Sequence, residues 1–526
     1  MTLKNFASIA DTKLYSEKHK NFKFNSLGRT DLLVSEVGFG GYRIDIRSPL
    51  NRDALKKALL SGINLIDTSS NYTDGNSELL IGEVLQELVN ANMLSRESVV
   101  IVTKGGYLQG KNYALSLSRK EENYPFPELV EYEEGLEHCI HPEFIEDQIK
   151  RSLERLKLKT IDIYLLHNPE YYLKYAEKKG IDISTAREEY YRRIKKAFEH
   201  LEKEVQNGRI KHYGISSNTF INDADTFDFT SLEKIISIAE EISKDNHFSV
   251  IEFPMNLLEN NAATKTNQFG NEALHTYSFG KLTTQVSKTG QPGGTTLLDL
   301  AEKKNLGVLI NRPLNAFYNN KVIRLAEPLV HNAPSIEAIN QELENINNLE
   351  KSITEKLKLY GYTDISSSII KNLFIFDELN HRWTESKDIF RWEAKLNKHF
   401  LPKFHYYKNY IKNNSLKNEE LEMDLFSCTF KIGKLFSLIS SYYNNEYLKF
   451  TDRIKKDLAV SVPELKTSKK LSHMAIHTLR STKGVTTVLV GLDQVPYVSD
   501  AIEELKQPVN KDFDWNKINA DQILNK

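Results

Sequence analysis

The stretch that decides the fold reads GINLIDTSSNYTDG at residues 62–75. In it a short apolar run, INLI, ends at Asp67, and a polar loop that contains Tyr72 follows. The arrangement returns twice, because VVIVT runs into Lys104 and IDIYLL runs into His167. Runs of this length and composition predict buried β-strands with polar side chains at or just beyond their exits. These four side chains are therefore the candidate functional residues.

The chain contains eight such strand candidates. They are VSEVGFG from Val34, INLI from Ile63, VVIVT from Val99, IDIYLL from Ile161, IKHYGI from Ile210, FSVIEF from Phe248, GVLI from Gly307 and VTTVLV from Val485. Helix-period segments such as 143–158 lie between them, and this alternation predicts a (β/α)₈ TIM barrel, whose post-strand loops share one mouth. An open doubly wound sheet is the competing fold. It ordinarily carries a GxGxxG turn after its first strand, which Gly38, Gly40 and Gly41 do not form.

The interval between the strands at Gly307 and Val485 does not fit the strand–helix alternation of a barrel, because it contains far more residues than one helix requires. Apolar residues recur at helical spacing from Ile336 to Leu357, and Phe390, Trp392 and Phe400 add aromatic area for a core. We expect an inserted α-helical subdomain here. The predicted domains are an N-terminal arm (1–26), the first part of the barrel (27–318), the helical insertion (319–451) and the barrel completion (452–526).

Two excursions from the barrel are expected to act at its mouth. The segment 107–141, after Lys104, should shape what enters. The insertion could form a lid, a subunit contact or a docking surface for a partner protein, and the sequence leaves these roles open.

Composition narrows the function classes. The net charge of −1 leaves no basic field for nucleic acid, and the two cysteines, Cys139 and Cys428, suggest neither a disulfide framework nor a thiolate metal site. No apolar run is long enough to span a bilayer. We expect a soluble, cytoplasmic protein that binds no metal, no membrane and no nucleic acid.

The four candidate side chains suit carbonyl chemistry. A phenol ionises near ~10 and needs help to move a proton at neutral pH. An ammonium such as Lys104 near Tyr72 would lower the pKa of the phenol, and Asp67 would keep the lysine charged. His167, as a neutral imidazole, could orient a carbonyl oxygen.

Six stretches in chain order resemble the successive barrel strands of the aldo-keto reductase family. They are LGRTDLLVSEVGFGG from Leu27, GINLIDTSSNYTDGNSE from Gly62, VVIVTKGG from Val99, SLERLKLKTIDIYLLHNPE from Ser152, GRIKHYGISSN from Gly208 and VTTVLVG from Val485. The resemblance covers everything except the insertion. It implies that Tyr72 is the general acid, that Lys104 lowers its pKa, that Asp67 pairs with the lysine and that His167 orients the carbonyl.

The resemblance also implies a nicotinamide cofactor, NADPH or NADH, bound across the mouth without a Rossmann domain. The implied contacts are Gly41, Tyr42, Arg43, Asp67, Ser216, Ser217, Asn218, Glu252, Asn311, Arg312, Pro313, Leu314, Gly491 and Asp493. Three of them depart from the family pattern. Glu252 stands where glutamine is usual and can only accept from the carboxamide. Asn311 replaces a frequent ring-stacking tyrosine, with Arg312 beside it as a possible phosphate or substrate contact.

Asp493 is the third departure, because relatives that use NADPH often present a cation there. A carboxylate would repel the 2′-phosphate and could accept from a free ribose diol, unless Lys483 or Arg480 supplies the missing charge. The sequence leaves the choice between NADH and NADPH open.

The functional expectation is reduction of an aldehyde or ketone, or the reverse oxidation of an alcohol or sugar. Small carbonyl compounds are the expected partners, with a homo-oligomer or a protein partner possible through the insertion. The alternative is a nicotinamide-sensing scaffold that binds cofactor and docks a partner through the insertion.

Overall fold

Eight parallel strands close into a barrel in the computed structural model, which describes residues 2–269, 294–319, 321–328, 333–361, 374–380, 382–413, 418–468 and 470–524. The strands are β1 Val37–Gly40, β2 Leu65–Asp67, β3 Val100–Gly105, β4 Ile161–His167, β5 Ile210–Ser216, β6 Phe248–Pro254, β7 Gly307–Asn311 and β8 Thr487–Gly491. Neighbours pair in chain order, and β8 pairs with β1 to close the ring. The predicted TIM barrel is confirmed, with one strand at each of the eight predicted places.

Helices surround the strands. In this part of the chain they are Ile9–Lys18, Pro49–Leu60, Asn76–Asn90, Gly110–Glu121, Pro142–Leu156, Tyr171–Lys178, Ile183–Gln206, Leu232–Ile242, Asn261–Thr264, Leu297–Lys303, Leu471–Arg480, Val495–Leu505 and Ala520–Leu524. Local sequence fixes where several begin. Ser48 accepts from the Asn51 N–H with Pro49 in the first turn, and Thr296 caps Leu297–Lys303 by accepting from the Asp299 N–H.

The first residues of the chain belong to the barrel unit. Phe24–Ser26 pairs antiparallel with Leu33–Ser35, and the Leu3 N–H donates to the Lys157 carbonyl at 2.9 Å. The predicted boundary after residue 26 therefore falls inside a hairpin and does not separate an arm. Val34 lies in the second strand of this hairpin, and the first barrel strand therefore begins after it, at Val37.

The excursion after Lys104 has its own structure. Tyr107–Leu108, Val130–Glu133 and Leu136–His138 form a three-stranded antiparallel sheet, and the helix Gly110–Glu121 lies between the first two in sequence. Tyr107 and His138 are buried.

The helical insertion is a second compact unit, Ala326–Leu471. Its helices are Ile336–Leu359, Phe376–Leu379, Ile389–Lys395, Leu401–Asn413 and Glu419–Ser461, with a π turn at Leu396–Phe400. The apolar faces of the two long helices bury Ile346, Ile353 and Leu435 in a core that also contains Trp383 and Trp392. This confirms the inserted α-helical subdomain.

The boundaries of the insertion differ from the predicted 319–451. After β7 the chain makes a hairpin, Asn315–Tyr318 with Lys321–Arg324, which belongs to the barrel unit. At the other end, the helix Glu419–Ser461 runs through Thr451, a fully buried residue, without interruption. The barrel resumes at Ser472.

Among the described residues, no helix is both long and apolar enough to cross a bilayer. The same residues contain no cluster of three or more His, Cys, Asp or Glu side chains that could hold a metal ion.

Candidate active site

Asp67, Tyr72, Lys104 and His167 lie together at the carboxyl ends of β2, β3 and β4. The Lys104 Nζ is 2.5 Å from Asp67 Oδ1 and donates to the Tyr72 hydroxyl at 3.3 Å. The rings of Tyr72 and His167 meet edge to face, with 5.9 Å between their centroids. Parallel register produces this convergence, because adjacent strands end at the same rim of the barrel.

Tyr72 is placed by a tight turn, Tyr72–Gly75, that follows the β2 exit. Thr73 and Asp74 have φ values of 45° and 58°, a left-handed backbone that costs about 1–3 kcal/mol per residue. Side-chain hydrogen bonds hold the turn, since Thr73 Oγ1 donates to the Ile44 carbonyl at 2.7 Å and Asp74 Oδ1 accepts from the Lys111 N–H at 2.8 Å. The position of the phenol is thus over-determined.

Lys104 has a second carboxylate neighbour. Glu252 Oε2 on β6 is 3.2 Å from its Nζ, and the lysine side chain is fully buried. Nζ also donates to the Thr68 carbonyl at 3.1 Å. Burial lowers the pKa of Lys104, but Asp67 and Glu252 outweigh it and raise the pKa above its usual value. The lysine is therefore a permanent cation.

The pKa of Tyr72 lies above its ordinary value in this structure, not below it. Burial raises the pKa most, the Lys104 charge lowers it, and the carboxylates of Asp67 and Glu252 raise it again. The predicted effect of the lysine is present, yet it does not dominate. Burial and Glu252 also raise the pKa of Asp67 well above its usual range, against the lowering effect of Lys104.

His167 is held as a neutral imidazole. Burial and the Lys104 charge push its pKa well below the ordinary value. Its Nδ1 is 3.0 Å from Ser69 Oγ, and its ring meets Tyr107 edge to face at 4.7 Å between centroids. His138 Nε2 donates to the His167 carbonyl at 2.7 Å.

Sequence reasoning missed Ser69, Tyr107 and His138 as neighbours of His167. Ser69 lies two residues after Asp67, in the loop that leads to Tyr72, so its position in the sequence could have identified it as a site residue. Tyr107 and His138 lie in the segment 107–141. Their approach to His167 depends on the three-stranded sheet, which no sequence motif predicts.

Three residues that the resemblance implies as cofactor contacts form one hydrogen-bonded group. Glu252 Oε1 accepts from Ser216 Oγ at 3.1 Å and from Asn311 Nδ2 at 2.9 Å. They stand at the ends of β5, β6 and β7. Asn218 lies next to this group, with its N–H donating to the buried carboxylate of Glu170 at 2.9 Å, and Ser217 Oγ turns to Thr219 at 3.3 Å.

The loop after β7 carries the remaining residues of that strand end. Arg312 has a left-handed backbone with φ 52°, pairs with Glu259 at 3.3 Å and lies over the Phe317 ring. Burial lowers the pKa of Arg312, and Glu259 raises it. Pro313 follows it, and the Leu314 carbonyl accepts from the Leu325 N–H at 2.8 Å.

The loop after β1 brings Gly41 and Tyr42 to the same rim. The Gly41 N–H donates to the Asp67 carbonyl at 2.8 Å, and a Cβ at Gly41 would lie 2.8 Å from that oxygen, so only glycine fits. Tyr42 is largely exposed, and its ring meets Tyr72 edge to face at 5.1 Å.

The β8 exit places Asp493 two residues after Gly491. Burial raises the pKa of Asp493, and the charge of Arg43 lowers it, so a cation does stand near this carboxylate. The two cations proposed from the sequence are engaged elsewhere. Arg480 is buried between Glu36 and Glu504, and Lys483 pairs with Glu302 at 2.8 Å. The expectation that Lys483 or Arg480 supplies a charge beside Asp493 is therefore wrong, because the sequence of a loop does not show which partners its side chains bind.

Comparison with known proteins agrees with the resemblance. The NADH-specific methylglyoxal reductase of Escherichia coli is 32% identical over 149 residues, which cover 27% of this chain and 40% of that protein. A putative voltage-gated potassium channel subunit beta of Schizosaccharomyces pombe is 31% identical over 159 residues, or 29% of this chain and 38% of that protein. The chain thus spans less than half the length of these relatives.

A solved aldo-keto reductase from Bacillus halodurans, in its holo form, aligns with a TM-score of 0.43 at 14% identity, covering 96% of both chains. Residues 36–293 match the model of the aldo/keto reductase family. These residues include the first six of the eight barrel strands and all of Asp67, Tyr72, Lys104 and His167. The chain belongs to the aldo/keto reductase family.

Proposed function

We propose that this protein reduces an aldehyde or ketone with NADPH or NADH, or oxidises the matching alcohol or sugar. One observation carries the proposal: the Tyr72 hydroxyl is 3.3 Å from a buried lysine ammonium that is itself 2.5 Å from Asp67. A phenol beside a fixed cation is a proton donor whose anion is stabilised as it forms.

Each of the four side chains has a distinct part in this chemistry. Tyr72 would give its proton to the substrate oxygen during reduction and take it back during oxidation. Lys104 would stabilise the phenolate that remains, and Asp67 would hold the ammonium in place. His167, kept neutral by burial and by Lys104, would hold the substrate oxygen beside the phenol through a hydrogen bond.

The rim of the barrel offers groups that fit a nicotinamide cofactor. Among the described residues, Asn311 Oδ1 and Arg312 Nε are buried without hydrogen-bond partners. An unpartnered acceptor suits a carboxamide N–H, and an unpartnered guanidinium N–H suits a phosphate oxygen. Ser216, Ser217, Asn218 and Glu252 would hold the ring end. When bound, the cofactor supplies or takes the hydride.

The adenosine end would meet Gly491, Arg43 and Asp493. The Asp493 carboxylate favours a free ribose diol, whereas Arg43 beside it offers a positive charge to a 2′-phosphate. Both NADPH and NADH therefore belong in the test. We keep a cytoplasmic location within the proposal, since both cysteines are free thiols and a reducing compartment suits them.

The proposal is tested by nicotinamide absorbance during incubation of the pure protein with each cofactor and a panel of aldehydes, ketones and sugars. Tyr72→Phe should lose about 10²–10⁴-fold in turnover. Tyr443→Phe is the matched control, because its hydroxyl donates to the Trp383 carbonyl at 2.7 Å inside the insertion. A Tyr72→Phe protein that turns over as fast as the Tyr443→Phe protein would refute the mechanism.

The alternative is a scaffold that binds nicotinamide and docks a partner through the insertion. It is favoured by the name of one relative, the putative channel subunit beta. Tight cofactor binding without turnover across the panel would support it, and removal of residues 326–471 should then abolish partner binding.

A further inference from the structure

Glu252 is a buried acidic side chain without a cation of its own. Lys104 Nζ is 2.5 Å from Asp67 Oδ1 and 3.2 Å from Glu252 Oε2, and all three side chains are at least 95% buried. The remaining donors to Glu252, Ser216 Oγ at 3.1 Å and Asn311 Nδ2 at 2.9 Å, are neutral. In the described part of the chain, Lys104 is the one cation within ion-pair distance of Glu252. Two carboxylates thus share a single ammonium.

This surplus of negative charge bears on the two states of a nicotinamide. The oxidised ring is a cation and the reduced ring is neutral, although their size and carboxamide are the same. A carboxylate in a site shielded from water attracts the cation far more strongly than it would in bulk solvent. The ring must react beside Tyr72, and Lys104 links Tyr72 to Glu252 through contacts of 3.3 Å and 3.2 Å.

We propose that Glu252 makes this site select the oxidised, cationic nicotinamide over the reduced one. The inference rests on the proposed function and deepens it. A glutamine at residue 252 would fill the same space and keep an acceptor oxygen, but it would remove the charge. The preference is therefore a property of the carboxylate and not of the shape of the site.

A proton on Asp67 would neutralise the surplus charge before the ring binds. Burial and Glu252 do raise the pKa of Asp67. A cation placed beside Asp67 lowers the pKa of this carboxyl and displaces the proton. The oxidised ring then still gains from Glu252.

The test measures binding, not turnover. Isothermal titration calorimetry gives Kd for the oxidised and the reduced form of the same cofactor, and the ratio of the two constants is the readout. In Glu252→Gln the oxidised form should lose roughly tenfold relative to the reduced form, the size of one partly screened charge interaction. Glu252→Asp, which keeps the charge, should stay near the wild-type ratio.

Glu78→Gln is the matched control for loss of a buried carboxylate. Glu78 bonds to Thr103 Oγ1 at 2.6 Å and pairs with Arg155, on the helix side of β3. Its ratio should equal that of the wild type. Circular dichroism verifies that each variant is folded before titration.

An unchanged ratio in folded Glu252→Gln would overturn the inference, and so would an equal change in Glu252→Asp and Glu252→Gln, because shape would then explain it. If the wild-type protein binds neither form, the proposed function itself fails. That failure is distinct from binding of both forms without the expected preference.

Discussion

Lys104 in the barrel and Lys356 in the insertion each lie between two carboxylates. Lys104 is 2.5 Å from Asp67 and 3.2 Å from Glu252, with its side chain fully buried. Lys356 is 2.7 Å from Glu420 and 2.6 Å from Asp424, with 23% of its side chain exposed. Both lysines have two carboxylate neighbours, but Lys104 is shielded from solvent and donates to the Tyr72 hydroxyl.

Burial together with a reactive neighbour, and not pairing alone, distinguishes Lys104 from Lys356. An ion pair open to water contributes little to stability and does not require a special environment. A buried pair loses hydration and persists only where the surrounding structure holds it in place. In the insertion the ion pairs of Lys356 are partly exposed, whereas in the barrel Lys104 and both of its carboxylate neighbours are buried.

The largest effect on stability is expected in the apolar core of the insertion. Trp392 is fully buried, and its Nε1 donates to Ser440 Oγ at 2.8 Å. Trp392→Ala should cost the insertion about 3–5 kcal/mol through lost transfer energy and a cavity. Hydrogen exchange followed by mass spectrometry should show lost protection in Ile336–Leu359 and Glu419–Ser461.

The control is Ser440→Ala, which removes only the hydrogen bond and should cost about 1 kcal/mol. Equal losses in the two variants would mean that polar contacts, and not packing, hold the insertion together. The contrast with the barrel would then be wrong.

The second effect is a dependence of the free energy of unfolding of the barrel on pH. Burial lowers the pKa of His138 to about 4, from 6.5. Between these values the unfolded chain takes a proton that the folded protein does not, so the free energy of unfolding falls as the pH drops from 6.5 towards 4. The loss is about 3 kcal/mol, and it is absent above pH 6.5.

His138→Asn should make this part of the pH profile less steep when unfolding by urea is measured at several pH values, and the buried His167, whose pKa is also lowered, keeps part of the slope. His399 in the insertion has a half-exposed side chain next to Glu378, and His399→Asn should keep the wild-type slope. A His138→Asn profile as steep as that of the wild type would contradict the assignment.

The smallest effect concerns Ser69. Its hydroxyl has one proton and three neighbours that can accept it: Asn71 Oδ1 at 2.7 Å, His167 Nδ1 at 3.0 Å and the Lys104 carbonyl at 3.2 Å. When Ser69 donates to His167 Nδ1, the single imidazole proton stays on Nε2, the nitrogen left to donate to the substrate oxygen, so the serine selects the tautomer. Ser69→Ala should lower kcat/KM roughly threefold to tenfold, the size of one hydrogen bond.

The matched control is the neighbouring serine, Ser70, whose buried hydroxyl has no hydrogen-bond partner among the described residues. Ser70→Ala should leave kcat/KM unchanged. The ¹⁵N shifts of labelled His167 report the tautomer directly, and identical shifts in the wild type and Ser69→Ala would rule out this role for the serine.

Strand positions and the four side chains at their exits were predictable from the sequence, because short apolar runs and their ends are local features. The pairing of Glu252 with Lys104 was not, since it depends on how far two side chains reach across the barrel. The end of the insertion was misjudged at Thr451 because the helix Glu419–Ser461 continues past that residue, and no glycine or proline lies between Thr451 and Pro463. The local sequence pattern determines where strands and helices form, whereas contacts across the barrel determine which charged side chains pair.

The most direct measurement is turnover of Lys104→Met beside Lys356→Met, followed by nicotinamide absorbance, with cofactor binding measured as a check on folding. We predict that Lys104→Met loses at least about 10²-fold, because the phenol loses its cation, and that Lys356→Met keeps the wild-type rate. A Lys104→Met protein that binds cofactor and turns over at the wild-type rate would contradict the account.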